Sequence, residues 1–149
     1  MPASGKLYPM VFDSAFQKKI DIDSDTLKVM LLSAYTYADT HQYVSNVKAA
    51  GTEASGTGYT AGGATLSSVT WSRSGLVYTL DAADPSWTTT GGSLAAAWAV
   101  IYDSTPGTDA TNPVIGYINL DGSGGTLTSS NGTFTITINA SGIATFTAA

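Results

Sequence analysis

The chain has one histidine, His41, and no other side chain type titrates near neutral pH without a perturbing environment. A serine hydrolase needs such a base beside a nucleophile that is presented on a Gly-x-Ser-x-Gly turn. No such turn occurs in the 149 residues. We therefore interpret His41 as a solvated residue at the start of a helix and predict no catalytic residue.

The three aspartates of the stretch Asp21-x-Asp23-x-Asp25 have the spacing that opens a calcium-binding loop. Thr26 stands where such a loop needs a glycine, and Leu32 stands where it needs a bidentate glutamate. A zinc site would depend on carboxylates for most of its ligands, because the chain has no cysteine. We interpret the stretch as a solvated turn and predict no metal site.

Two further patterns resemble enzyme motifs only in part. Asp81 and Asp84 are a candidate glycosidase pair, but they lie close together on one predicted turn, where nothing indicates burial. Residues 56–63 nearly match a dinucleotide-binding fingerprint, but the third glycine comes one place late and no helix follows. We predict that the chain is not an enzyme and binds no cofactor.

The tryptophans Trp71, Trp87 and Trp98 have flat faces that can stack on sugar rings. Each of them lies in a strand-like stretch with apolar neighbours. Packing in a core or in an interface is therefore the favoured interpretation, and sugar binding is the alternative.

Composition limits the classes of partner. The net charge is −5, and the whole chain has only six lysines and arginines, which argues against a nucleic-acid partner. No apolar run approaches the roughly 18 residues that a membrane span needs. The first nine residues show no secretion signal, so we expect synthesis in a cytoplasm.

The elements that hold these residues begin with a predicted helical segment at residues 1–25. Its helix is predicted over residues 9–20, where Phe12, Phe16 and Ile20 recur at a spacing of four. This apolar stripe is predicted to cover one end of a sheet. The alternative is a helix that docks on a neighbouring subunit.

The next stretch mixes a strand, a helix and a loop. Residues 26–33 are predicted to form a strand with Leu27, Val29 and Leu31 on one face. Thr40 is predicted to cap a short helix whose apolar side chains face inward. Residues 51–65 are predicted to form a glycine-rich loop or arm, with Tyr59 as its aromatic anchor.

The rest of the chain has the pattern of short strands. Two apolar runs within residues 94–120 show no clean alternation, so both are predicted to be central strands covered on both faces. Residues 132–139 are predicted to form a hairpin with residues 143–147. About eight strands predict an all-β fold. Residues 1–149 would form one β-sandwich or jelly-roll-like domain with a short N-terminal amphipathic helix.

Several strings spread over nearly the whole chain carry a resemblance to a known family. They are Asp-Thr-Leu-Lys-Val-Met-Leu-Leu from residue 25, Ser-Gly-Thr-Gly-Tyr-Thr-Ala-Gly-Gly from residue 55, Asp-Pro-Ser-Trp-Thr from residue 84, Ala-Val-Ile-Tyr-Asp from residue 99, Pro-Val-Ile-Gly-Tyr-Ile from residue 113 and Gly-Thr-Phe-Thr-Ile from residue 132. With these strings the chain resembles small structural proteins of tailed-bacteriophage virions.

The resemblance implies a particle component without catalytic residues. The leading expectation is a head decoration (cement) protein on the capsid surface, where it would bind the major capsid protein and self-associate as a trimer or dimer. The alternative is a minor tail or fibre-associated protein, with glycan or host-surface binding. Phe12, Phe16 and Tyr59 are the expected capsid or subunit contacts, because they are aromatic anchors in otherwise polar stretches.

Overall fold

The structure is a computed structural model that describes residues 4–148. Its elements are, in chain order, β1 (Ser4–Leu7), α1 (Met10–Phe16), β2 (Leu27–Tyr35), α2 (Val44–Ala50), β3 (Gly51–Glu53), β4 (Ala64–Thr65), β5 (Thr70–Ser74), β6 (Val77–Asp81), β7 (Ser86–Thr88), β8 (Ser93–Ala96), β9 (Trp98–Asp103), β10 (Val114–Asn119), β11 (Leu127–Ser130), β12 (Thr133–Thr135) and β13 (Ala144–Thr147).

The main sheet has the strand order β1-β10-β9-β2-β3, and β4 pairs with β2 beside this path. All of its neighbouring strands are antiparallel. The middle strands β9 and β2 pair from Leu27 opposite Asp103 to Leu32 opposite Trp98. β9 and β10 come from the two predicted central runs.

Both faces of the main sheet are covered, as its apolar runs predict. On one face, Val29 and Ile101 belong to a core that also contains Leu80, Trp87 and Phe134 from other strands. The opposite face has a second core, whose buried members are Tyr8, Met30, Leu32, Tyr35, Val44, Val47, Val100, Tyr102 and Val114. The prediction of a central, doubly covered strand pair is confirmed.

Three small antiparallel sheets supply the second layer over the first core. They are β13-β6-β5, β12-β7 and β11-β8. The prediction of a mainly β, antiparallel fold is confirmed, and the two layers around a shared core are sandwich-like. The jelly-roll arrangement stays a prediction.

Three predictions about the strands are wrong. Residues 94–102 are not one strand, because the chain turns a corner at Ala97, whose N–H bonds to the Leu32 carbonyl. β8 therefore pairs with β11 in the second layer while β9 enters the main sheet. Residues 132–147 do not form a hairpin, because β12 pairs with β7 and β13 pairs with β6. The part of the chain that the structure describes has thirteen short strands rather than eight.

The predictions for the helices and the loop need smaller corrections. Thr40 is not a cap: α2 begins at Val44, and the Asn46 side chain accepts the backbone N–H of Tyr43 at 2.9 Å. Val44 and Val47 face inward as expected. β3 and β4 occupy the two ends of the predicted 51–65 loop. β1 precedes α1 in the predicted helical segment, whose residues 1–3 lie outside the described residues.

The glycines of the 51–65 stretch have a structural explanation. Gly58 and Gly63 both have a φ of +79°, and each lies against the backbone of another strand. A Cβ at Gly63 would overlap the Val29 carbonyl oxygen, and one at Gly58 would overlap the Thr88 carbonyl oxygen. Only glycine fits both the backbone conformation and the close approach.

Candidate docking surface

The exposed apolar side chains are concentrated in two elements. Among the described residues, six large hydrophobic side chains are exposed: Phe12 (48%), Phe16 (88%), Trp71 (44%), Leu76 (59%), Val77 (37%) and Leu127 (43%). Five of these six belong to α1 and to the β5–β6 hairpin. Three of the five, Phe12, Phe16 and Trp71, line one hollow of the surface, and such a concentration is typical of an interaction site.

An apolar groove of about 360 Å³ lies between α1 and the sheet β13-β6-β5. Its helix wall includes Phe12 and Phe16, and its sheet wall includes Trp71, Tyr78 and Phe146. The remaining lining residues are Leu7, Val11, Ala15, Ile20, Ile22, Leu80 and Ile115. No charged side chain lines this groove, which we call the aromatic groove.

The sheet wall follows from the pairing register of the hairpin. Trp71 lies opposite Leu80, and Tyr78 lies opposite both Arg73 and Phe146. Because directly opposed and alternate residues share a face, these five side chains project to the same side. Leu80 is buried in the core, whereas all five residues of β5 are exposed. The hairpin is thus anchored at one end and overhangs the molecule at the other.

The aromatic rings of the groove contact one another. Phe12 meets Phe146 edge to face at 6.0 Å between ring centroids, which joins the helix wall to the sheet wall. Trp71 lies 5.5 Å from Phe146 and stacks on Tyr78 at 5.7 Å. The Arg73 guanidinium lies over the Tyr78 ring at 5.7 Å. These contacts hold the open groove in one shape.

The orientation of α1 differs from the predicted one. Val11 and Ser14 are its buried residues, and Phe12 and Phe16 point outward. Ser14 accepts a hydrogen bond from the Gln42 side chain at 3.3 Å, which fixes this face inward. The prediction that the Phe12–Phe16–Ile20 stripe covers the sheet holds only in part: Phe12 contacts Phe146 and Ile20 packs against the first core, but Phe16 is exposed. The helix ends at Phe16, and Lys18, at a φ of +59°, turns the chain before Ile20.

Tyr59 belongs to the interior rather than to this surface. Its ring packs against the first core, and its hydroxyl accepts the Leu31 N–H at 3.0 Å and donates to Glu53 at 2.8 Å. Burial raises the pKa of Tyr59 above its usual value. Of the three expected contact residues, the structure brings Phe12 and Phe16 together in the groove and places Tyr59 elsewhere.

Sequence reasoning missed the sheet wall of the groove. The sequence predicts a turn at Ser74–Gly75, whereas the structure turns one residue later, at Gly75–Leu76, and this register places Arg73 opposite Tyr78. Phe146 had no comparable signal, because its strand was expected beside β12 rather than β6. The three tryptophans differ in burial: Trp87 is in the core, Trp98 is half-buried, and Trp71 is exposed in the groove.

Apart from Arg73 on the sheet wall, the charged residues near the groove lie at the C-terminal end of α1. A second hollow of about 350 Å³ adjoins the groove there, and Trp71 and Ile20 line both. Lys18, Asp21 and Asp23 line this hollow. Both signs of charge therefore border the open end of the apolar surface.

The other candidate groups have structural partners. The Tyr35 hydroxyl lies 2.7 Å from both His41 Nδ1 and the Tyr8 hydroxyl, and burial lowers the pKa of His41. Asp81 and Asp84 each accept a backbone N–H, from Ala82 and Ile138 respectively.

The Asp21–Asp25 stretch forms a turn, as predicted, in which Asp21 and Asp25 accept backbone N–H groups. Within residues 4–148, no three histidine, cysteine or acidic side chains are grouped so that they could hold a metal ion.

Asp103 is the most unusual carboxyl group of the described chain. It is fully buried, and its Oδ1 accepts the Thr105 N–H at 2.8 Å. Its Oδ2 has no hydrogen-bond partner, and the Asp25 carboxyl adjoins it. Burial, together with Asp25, raises the pKa of Asp103 to about 6. When Asp103 is protonated, its buried charge is removed and the neutral carboxyl can donate to Asp25.

Comparison with known proteins gives no match: no family model, no curated protein and no solved structure is similar to this chain. Among residues 4–148, no helix has both the length and the apolar character needed to cross a membrane.

Proposed function

We propose that this chain is a structural protein of a tailed-bacteriophage particle. In this proposal it is a head decoration (cement) protein, made in the host cytoplasm, that binds the major capsid protein on the outer surface of the head. The aromatic groove carries the proposal, because it is a preformed apolar surface on an otherwise charge-poor protein.

The family resemblance supports the same proposal through strings that the fold uses as its framework. The strings from residues 25, 99 and 113 become β2, β9 and β10, which are the middle of the main sheet. The glycine-rich string from residue 55 provides the close approaches at Gly58 and Gly63. The framework thus holds α1 and the hairpin at the periphery, where Phe12 and Phe16 are exposed.

The binding of the protein to the capsid would be strengthened by the presence of many copies on one lattice. A single groove of this size supplies a modest apolar contact, but a lattice offers many equivalent positions to an assembled protein. Linking binding sites raises apparent affinity by about 10²–10⁴ without any new contact. Stabilisation of a capsid follows when each copy or oligomer spans neighbouring capsid subunits.

Occupancy of purified particles tests the proposal. Particles that lack the protein would be mixed with wild-type chain and with a Phe12→Ser, Phe16→Ser double variant, and bound protein would be measured against the major capsid protein. We expect at least about a tenfold loss of affinity for the double variant, equivalent to 1.4 kcal/mol. Leu127→Ser is the control, because Leu127 is exposed to nearly the same degree as Phe12 but lies outside the groove.

The second candidate function is a tail or fibre component that binds glycans. The open stacked pair Trp71 and Tyr78 favours it, since aromatic faces also bind sugar rings. Electron microscopy of particles that carry labelled protein distinguishes the two candidate functions. Label over the whole head supports decoration, whereas label confined to the tail contradicts it and supports the second candidate.

A further inference from the structure

We propose that the aromatic groove is an isologous interface, in which two copies of this chain pack α1 and the β5–β6 hairpin against each other across a two-fold axis. The inference rests on the proposed function for the role of this face as an assembly contact, and it names the partner as a second copy. The dimer would be the unit that attaches to the particle, through surface outside the groove. The loss of occupancy expected for the Phe12→Ser, Phe16→Ser variant would then follow from loss of the dimer.

The first argument is that a protruding side chain, Phe16, and the aromatic groove lie on the same face of the molecule. Phe16 is the most exposed large apolar side chain of the described residues, at 88%, and it stands at the wall of the groove. A two-fold axis beside Phe16 sets each Phe16 over the groove of the other copy. An isologous interface needs such self-complementarity, and two-fold dimers are the commonest oligomers.

The second argument comes from charge. Lys18 borders the open end of the groove together with Asp21 and Asp23. A two-fold axis near Phe16 brings Lys18 of one copy opposite Asp21 and Asp23 of the other, in both directions. A strongly acidic or strongly basic partner would instead meet like charge at this border. The mixed border therefore favours a second copy.

The third argument is the open strand next to the groove. β5 is an outer strand of its sheet, and all five of its residues are exposed. Exposed sheet edges invite pairing with other chains, so proteins usually cover or blunt them. Packing of two hairpins across the axis would shield β5 in each copy. The seven residues of α1 and the five of β5 are fewer than the roughly 20 per side of a standard interface, which fits a weak association between copies.

Sedimentation velocity on the purified full chain tests the oligomeric state. We expect wild type to pass from monomer to dimer between about 1 and about 100 μM, a concentration range typical of modest interfaces. Phe16→Asp should weaken association by at least about 100-fold. Leu127→Asp, outside the groove, should leave it unchanged, and circular dichroism would confirm that both variants are folded.

A cross-linking experiment tests the geometry. The chain has no cysteine, so Phe16→Cys introduces a single thiol next to the proposed axis. Under mild oxidation we expect a disulfide-linked dimer from Phe16→Cys and none at that rate from Leu127→Cys. Equal rates for the two variants, or a wild-type chain that stays monomeric throughout the concentration range, would overturn the inference.

The two proposals fail in different ways. A monomeric chain that still decorates particles overturns the dimer and leaves the proposed function standing. A dimer that binds no part of any particle overturns the proposed function alone. If the chain is monomeric and Phe16→Asp abolishes particle binding, the groove binds a particle protein directly, and the two-fold inference is wrong.

Discussion

Asp103 shows how a single side chain can work against the stability of a fold. A buried carboxylate loses its hydration, and here the neighbouring Asp25 adds like charge. The native state therefore holds a proton on Asp103 up to a pH of about 6, whereas an unfolded chain releases it near 3.8. Native protein binds more protons than unfolded protein in that interval, so this group lowers stability as the pH rises from about 4 to above 6.

We predict that Asp103→Asn stabilises the protein at pH 7.5 by roughly 2 kcal/mol, because the amide removes the buried charge. Its carbonyl can still accept the Thr105 N–H, and its amide can donate to Asp25. The advantage should shrink as the pH falls towards 4, because protonation of Asp103 then removes the buried charge from the native state. Urea denaturation at a series of pH values measures the difference.

The control for this prediction is Asp39→Asn, because Asp39 is exposed. Its free energy of unfolding should follow that of wild type at each pH. An Asp103→Asn advantage of equal size at pH 4 and pH 7.5 would show that titration of Asp103 is not its cause.

At the residue scale, sequence identifies aromatic anchors but not the direction in which they point. Phe16 and Tyr59 both lie in polar stretches, yet Phe16 is exposed and Tyr59 is partly buried against the first core. The difference depends on partners far away in the chain, since the Tyr59 hydroxyl bonds to Leu31. Likewise, α1 faces inward through Ser14, a polar residue that periodicity of apolar residues does not detect.

At the scale of elements, close packing of one segment on another depends on particular glycines. Gly63 in the loop before β4 approaches β2 so closely that a Cβ would overlap the Val29 carbonyl oxygen. Gly91, before β8, has a similar φ of +84° and nothing within 4 Å of its Cβ position. An alanine at Gly91 would therefore experience backbone strain alone, whereas an alanine at Gly63 would experience both backbone strain and steric overlap.

We predict that Gly91→Ala costs about 1 kcal/mol, which is the price of a left-handed conformation for alanine. Gly63→Ala should cost at least about 2 kcal/mol more, because β2 must also move. Equilibrium urea denaturation of both variants measures the difference. Equal losses would mean that the approach to Val29 relaxes freely.

Strand existence was more predictable from the sequence than strand pairing. The apolar runs of β2, β9 and β10 identify the central strands because burial on both faces removes the polar alternation. Pairing of β13 with β6 was not readable, since Gly142 redirects the chain after β12 and Ile143 donates to the Leu80 carbonyl. The sheet wall of the groove depends on that pairing and could not be predicted for the same reason.

At the scale of the whole molecule, stability is distributed unevenly. β2 and β9 lie between two cores, whereas β5 overhangs the body with every residue exposed. Amide protection follows burial and local contact density. The fold should therefore open locally at the hairpin tip well before it unfolds globally.

We predict that the amides of β2 and β9 exchange slowest in hydrogen–deuterium exchange. Among the strands of the main sheet and of the sheet β13-β6-β5, the amides of β5 should exchange fastest. The Phe16→Asp variant is the suitable sample, because association between copies would protect β5. Protection of β5 equal to that of β2 in this variant would contradict the overhanging hairpin. A rise of β5 protection in concentrated wild type would agree with the two-fold interface.

The pairing of β1 with β10 also governs what happens while the chain is being made. Ser4 pairs with Asn119, about 115 residues later in the chain. At about 5–20 residues per second, the ribosome needs roughly 6–23 s to supply the partner of the first strand. Throughout this interval α1 and its phenylalanines lack the strand on which they pack. We therefore expect chaperones to bind the nascent N-terminal segment until β10 has been synthesised.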